Sequence, residues 1–285
     1  MRGKINLYWQ LVKPLQSGLL LLTGIAGFAT AKCPVLNFFT FSGLVVSLAL
    51  AIGGSTAFNM VIDSDIDLSM GRTRKRPLPS GKLSTRQALT FAALLSASGI
   101  AMALYLSPLY GLLVAAGLFF DVVVYSLWLK RRTPWSIVWG GIAGAMPIMA
   151  GRALGTGRVD LIGVLLGLSI LLWIPTHILT FSMKYYDDYR RAGIPTFPSV
   201  YGFKTTRWII ALSSIGAALA VGIGILALGL SWGYLRLLGI LSVGLLGLAI
   251  YSIKNPSERV NLGLFKYASF FMLGSMLIIM AGTVL

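Results

Sequence analysis

Apolar runs of about twenty positions, each closed by a short polar or basic segment, repeat along all 285 residues. A helix rising 1.5 Å per residue needs about 20 such residues to cross a hydrocarbon core of ~30 Å. Nine runs are predicted to do so: Leu15–Ala31, Phe38–Met60, Ala88–Leu106, Tyr110–Leu129, Ser136–Ala153, Leu161–Phe181, Trp208–Leu228, Tyr234–Ile253 and Leu264–Val284. Little chain is left between them, so residues 1–285 read as a single all-α, polytopic transmembrane domain. Arg2, Lys4 and the small residues Ala29-Thr30-Ala31 around the first run imitate a secretion signal. Lys13-Pro14 set directly against that run, and eight further runs behind it, favour a retained first helix.

Composition supports this picture. Hydrophobic residues make up 56% and charged residues 11%, where soluble domains carry about 25% charged residues; mean hydropathy is +0.83. The 24 Lys and Arg against 8 Asp and Glu give a net charge of +16 and a pI near 10.3. So apolar a chain is not a soluble nucleic-acid binder, nor a disordered one. A single cysteine, Cys33, excludes a disulfide scaffold and a cysteine-based metal site. The bases are instead a topology signal. With the N-terminus inside, only Lys32, Arg152, Arg158 and Arg236 of the 24 fall on the outer side. The expectation is a multi-pass cell-membrane protein with its N-terminus cytoplasmic and its C-terminus outside. Gly140, Gly141, Gly144 and Gly151 in the fifth run read as close helix packing. Trp128, Trp135, Trp208 and Trp232 at run ends read as an interfacial belt. Cys33 and the 10 Met read as packing residues.

The scarce acids carry the chemistry. Asp63, Asp65 and Asp67 fall within five residues, and Asp187 and Asp188 are adjacent; both clusters follow runs on the inner side. Asn59, Asp63 and Asp67 are spaced i, i+4, i+8, which on a helix gives one face drifting about 40° per step. Asp65 points to roughly the opposite side. A column of hard oxygen donors suits Mg²⁺, which usually bridges one or two carboxylates to substrate phosphates. The adjoining Arg72-Thr73-Arg74-Lys75-Arg76-Pro77 supplies bases for a polyanion, so the pair fits a diphosphate–Mg²⁺ complex. Lys184, Asp187, Asp188, Tyr189, Arg190 and Arg191 repeat the arrangement after the sixth run, ending at the turn Gly193-Ile194-Pro195. Two such clusters on one membrane face suggest one site between two helical halves. Lys130-Arg131-Arg132 joins them as a third basic patch. Asp160 and Glu258 read as ordinary loop acids. Asp121, with Tyr125 one turn away, lies inside the fourth run, where an ionisable group costs about 2.5–3.5 kcal/mol to insert; its role is open between function and a buried Asp–Tyr pair.

These residues carry a resemblance. NMVIDSDID from Asn59 to Asp67 is similar to the NxxxDxxxD motif of UbiA-type intramembrane prenyltransferases. The stretches Asn59 to Gly81, Tyr125 to Gly151 and Trp173 to Pro198 resemble the branch of that family that farnesylates protoheme, and Lys13-Pro14 matches a weaker N-terminal pattern. The resemblance implies a nine-helix UbiA-type fold. It implies a Mg²⁺-bound farnesyl diphosphate near the cytoplasmic face, its tail in a lipid-side tunnel, and protoheme IX as acceptor. A heme A synthase or terminal oxidase assembly would stand downstream. Position by position, Asn59, Asp63 and Asp67 would bind Mg²⁺, and Asp187 or Asp188 would serve a second metal or the diphosphate. Arg72, Arg76, Lys130 and Lys184 would hold diphosphate oxygens, Tyr125 would line the pocket, and the single His177 would touch heme. The chain departs from the pattern at Pro175-Thr176-His177, where Pro-Pro-His is usual, at Pro147-Ile148, where prolines are paired, and at Arg152, where an aromatic is common. Arg191 stands four residues after Asp187 in place of a second aspartate, which leaves the ligand set of a second metal open. Two other readings share these features. A sister prenyltransferase would act on an aromatic or glycerol-phosphate lipid acceptor. A secondary transporter would also use intramembrane acids, but near the midplane.

Overall fold

The computed structural model describes residues 2–31 and 37–284, with only the backbone of Arg2. Lys32 and Cys33 lie outside the described residues. The helices run α1 (Arg2–Val12), α2 (Pro14–Ala29), α3 (Phe38–Ile62), α4 (Ser64–Ser69), α5 (Thr85–Leu106), α6 (Pro108–Leu118), a π-helical segment (Phe119–Leu129), α7 (Ser136–Thr156), α8 (Leu161–Lys184), α9 (Tyr186–Arg191), α10 (Phe197–Leu228), α11 (Trp232–Lys254) and α12 (Glu258–Val284), with no strand among the described residues. Eight of them, counting α6 with its π-helical continuation as one, are long and apolar enough to cross a membrane, and the bent α1–α2 pair makes up to nine.

The elements sit where hydrophobic runs predict them, with two differences. The first run becomes α2, only 16 residues long, and it meets α1 at a 49° bend. Lys13 makes that bend with φ 48°, the only left-handed non-glycine among the described residues. The Pro14 ring bars Lys13 from helical geometry, and the left-handed alternative costs about 1–2 kcal/mol. Two side chains hold the strained turn: the Ser17 and Thr56 hydroxyls both donate to the Val12 carbonyl. The seventh run starts early, at Phe197, and the helix kinks at Gly202 (φ 77°, ψ 164°).

Small residues set the helix spacing, as sequence suggests. A Cβ on Gly151 of α7 would lie 1.9 Å from the Gly24 carbonyl oxygen of α2, so the two backbones touch there. Gly140 receives the ring of Tyr125, and Gly141 and Gly144 receive Leu171 and Ile174. Trp128, Trp135, Trp208 and Trp232 are all exposed. So are outward residues such as Leu112, Ile240 and Val243, an apolar surface of the kind a bilayer covers.

At the end of the bundle opposite the acid clusters, Arg152 is buried. Its Nε and Nη2 donate to both oxygens of Asp160 (2.7 and 2.6 Å), and its Nη1 to the carbonyl and hydroxyl of Thr30 (2.8 and 3.0 Å). Asp160 also caps α8, accepting from the Gly163 N–H at 2.9 Å. One guanidinium thus joins the ends of α2, α7 and α8, which explains a charge where the related pattern has a ring. The Arg152 hydrogen bond holds the Asp160 carboxyl below its ordinary value of 3.8, against the opposing effect of burial. A depressed folded value means that the stabilisation is complete above 3.8 and is lost as pH falls through the lower folded value. Thermal unfolding in detergent is therefore expected to show a loss of stability below about pH 4 that Asp160→Asn abolishes.

Candidate active site

α3 ends at Ile62, and Asp63 (φ −91°, ψ 6°) is at once its C-cap and the first residue of the turn into α4. The predicted continuous helix is therefore two helices, yet the column survives. The Asp63 N–H donates to the Asn59 carbonyl (2.9 Å), and the Asp67 N–H to the Asp63 carbonyl (2.8 Å). Asp63 and Asp67 are buried, at 8% and 5% exposure. Asp65 is exposed on the other side, gripped by Arg131 through both oxygens (2.7 and 2.8 Å). That contact holds its carboxyl below the usual range.

Each inward acid meets a base. Asp63 pairs with Lys130. Asp67 receives Arg76 on both oxygens (2.9 and 2.6 Å), while the Thr73 hydroxyl donates to its carbonyl. The Lys130 ammonium also lies 5.5 Å from the centre of the Tyr125 ring. One oxygen of Asp63, Oδ1, is buried without a hydrogen-bond partner. Lys13 lies within electrostatic reach of Asp63, Asp67, Arg76 and Lys130.

The second cluster comes up beside the first. Ile66 and Met70 of the first pack with Tyr189, Ala192 and Ile194 of the second. A Cβ on Gly71 would stand 3.8 Å from Asp188 Oδ1, so the loop after α4 passes over α9. Asp188 accepts from Arg191 at 2.5 Å, and Asp187 is exposed. Burial first, then the electrostatic effect of Tyr125, raises the Tyr189 hydroxyl above its ordinary range against the opposing pull of Lys130 and Arg72, keeping it a donor. The Arg72 guanidinium stacks over Phe181 and Tyr185 (4.8 and 5.1 Å), and Lys184 lies 5.3 Å from the Tyr185 ring. Among the described residues no three Asp, Glu, His or Cys side chains come close enough together to hold a metal ion. The two acid clusters lie side by side as a loose mouth, with Asp63, Asp65, Asp67 and Asp188 each engaged with a base.

Below the mouth lies a cavity of about 340 Å³. Its walls are mostly aliphatic, with Gly140, Gly141 and Gly144 on one side, Asp121 and Tyr125 near the mouth, and Trp173 and His177 opposite. His177 is sandwiched between Trp173 and Phe265, with centroids 4.9 and 4.6 Å away and near-parallel rings. Its Nδ1 is 3.3 Å from the Ser269 hydroxyl. Asp121 accepts from Ser55 and from the Asn59 amide (2.8 Å), and Ser126 donates to the Asn59 oxygen (2.8 Å). Ser55 and Ser126 carry no sequence signal as site residues. Ser55 is one turn from Asn59 on α3, but the partner that gives it meaning lies 66 residues away.

The donor set fits a hard divalent cation. Asp63 presents a buried oxygen with nothing to bind. Asp67 is one turn on, and the Asn59 amide oxygen has a second lone pair beyond the one that Ser126 uses.

The pattern that defines the UbiA prenyltransferase family matches residues 20–281. A protoheme IX farnesyltransferase of Pyrobaculum islandicum is 40% identical over 266 residues, covering 93% of this chain and 95% of that protein. One of Archaeoglobus fulgidus is 42% identical over 211 residues, 74% of each. Among solved structures, a digeranylgeranylglyceryl phosphate synthase superposes with a TM-score of 0.82 at 18% identity, covering 99% of both chains. A UbiA homologue from Archaeoglobus fulgidus bound to GPP and Mg²⁺ gives 0.71 at 17%, covering 96% of this chain and 99% of that one. At such identities the likeness speaks for the fold alone. Acids and bases at the mouth, an apolar cavity beneath and a sequence match from Leu20 to Ala281 agree: this multi-pass membrane protein belongs to the UbiA prenyltransferase family.

Proposed function

We propose that the protein transfers a farnesyl group from farnesyl diphosphate to a vinyl group of protoheme IX, giving hydroxyethylfarnesyl heme and diphosphate. The relatives at 38–42% identity carry that activity in their names. The observation that carries the reading is the orphaned, buried oxygen of Asp63, a residue paired with Lys130 at the mouth of an apolar cavity. The diphosphate lies in the mouth, on the cytoplasmic side that the excess of Lys and Arg marks, and the farnesyl tail fills the cavity. Asn59, Asp63 and Asp67 would hold Mg²⁺, with Asp187 or Asp188 available to a second ion, and the bound cation would supply Lewis-acid neutralisation of the leaving group.

The chain's own residues do the rest. Arg72, Arg76, Lys130 and Lys184 bind the diphosphate oxygens and stabilise the charge that builds as the C1–O bond breaks and its electron pair leaves with diphosphate. Tyr125, its face on the cavity, stabilises the developing allylic cation. Small residues and aliphatic walls exclude water from that cation. The vinyl π-pair then forms the new bond to C1, water captures the resulting cation at the carbon next to the ring, and its proton passes to solvent. No side-chain base is needed, consistent with one histidine in the chain.

His177 meets heme, through the iron or a propionate, its ring fixed by the Trp173–Phe265 sandwich. His177→Ala is expected to raise the KM for heme about tenfold, the value of one good contact, and to leave the KM for farnesyl diphosphate unchanged. Steady-state kinetics with each substrate varied in turn checks this; equal rises in both constants would contradict it.

A further inference from the structure

Asp121 lies inside the Pro108–Leu129 span, where a carboxylate is costly unless it has a task, and the reaction above does not use it. Its Oδ2 accepts from the Ser55 hydroxyl and from Asn59 Nδ2, while Asn59 Oδ1 accepts from Ser126. A carboxylate only accepts, so the nitrogen end of the Asn59 amide must face Asp121 and the oxygen end must face away. Asp121 and Ser126 are five residues apart. On an α-helix that spacing separates them by about 140°, too far for both to grip one side chain. Here the segment Phe119–Leu129 is π-helical, and π-helical bonds close between residues five apart. The Lys130 N–H to Tyr125 carbonyl bond, 2.8 Å, is one of these. Residues five apart therefore come to the same side, and both reach Asn59.

We propose that the π-helical segment is a clamp that sets the Asn59 amide, with Asp121 as its positioning residue. Asp121 fixes which end of the amide is which, and Ser126 steadies the oxygen while leaving it one lone pair for a hard cation. The Asp121 oxygen, by accepting from the amide nitrogen, polarises the amide and so enriches its oxygen. The carboxylate behind a metal-ligating histidine acts in the same way. The clamp rests on the reading of Asn59 as a cation ligand, and is indifferent to which acceptor takes the farnesyl group.

The test is a Mn²⁺ titration followed by EPR on the full-length protein in detergent, with unreactive farnesyl thiodiphosphate present and no acceptor. Asp121→Leu is expected to weaken Mn²⁺ binding about 10–100-fold, and Asp121→Asn, which keeps an acceptor oxygen, distinctly less. The exchange Asn59→Asp with Asp121→Asn keeps both the net charge and a donor–acceptor pair. It is expected to bind Mn²⁺ within about threefold of the natural protein, and it decides the matter if Asp121→Leu fails to fold. Unchanged affinity in Asp121→Leu, or an exchange variant no better than Asn59→Ala, overturns the clamp. Unchanged affinity in Asn59→Ala itself overturns the ligand reading beneath it, so the two failures are told apart.

Discussion

Asp63→Ala lowers the kcat/KM of prenyl transfer by about a thousandfold, the upper end of what one group aimed at developing charge supplies. Asp63→Asn is expected to do nearly as much damage, and that variant identifies the cause. An asparagine still offers Lys130 an oxygen, so a purely structural role for the Asp63–Lys130 pair predicts rescue. A cation ligand predicts none, because the neutral amide does not replace the charged oxygen that stands buried and unpartnered here. Asp65→Ala is the control. Two residues away, exposed and tied to Arg131, it is expected to cost no more than a surface ion pair, under about 1 kcal/mol of stability, with turnover unchanged. Assays of the three variants against the natural protein, with thermal unfolding alongside, separate these outcomes; normal turnover in Asp63→Ala would remove Asp63 from the site.

Arg152→Ala carries the largest expected effect on stability. It removes four hydrogen bonds at a junction of three helix ends and leaves the largely shielded Asp160 without its cation, a loss of about 3 kcal/mol, the low end for a buried pair broken from one side. Replacing both partners, as Arg152→Leu with Asp160→Asn, leaves no buried charge unpaired and is expected to cost less than Arg152→Ala alone. Thermal unfolding in detergent measures both. A single variant as stable as the natural protein would mean that the junction contributes little.

The difference between Asp63 and Asp65 was legible in the chain. Helical spacing alone separates Asn59, Asp63 and Asp67 from Asp65, and the structure keeps that separation even though the helix breaks at Asp63. The long spans were legible too, because a bilayer demands unbroken apolar runs and the sequence has little freedom to hide them. What stayed hidden depends on contacts between distant segments. Asp121 stood out as an acid in a span, but its meaning lies in Asn59 and Ser55, more than 60 residues away. The π-helical winding that brings Ser126 to the same side has no local sequence signal. Arg152 reads as an outer-face charge, yet its partners come from the ends of two other helices, α2 and α8. Nor does spacing say which base will close on which acid. The bidentate Arg76–Asp67 contact and the placement of Arg72 on Phe181 and Tyr185 come from the loop after α4 folding back over α8 and α9.

The central claim, that acids and bases at the mouth ionise farnesyl diphosphate for capture by heme, is tested most directly by the mass of the product. Purified protein is incubated with farnesyl diphosphate, Mg²⁺ and protoheme, and the porphyrin fraction is analysed by mass spectrometry with and without chelator. The expected product is a heme that has gained one farnesyl group and one hydroxyl, formed only when Mg²⁺ is present. Unmodified heme, or the same product at the same rate with the metal removed, would contradict it.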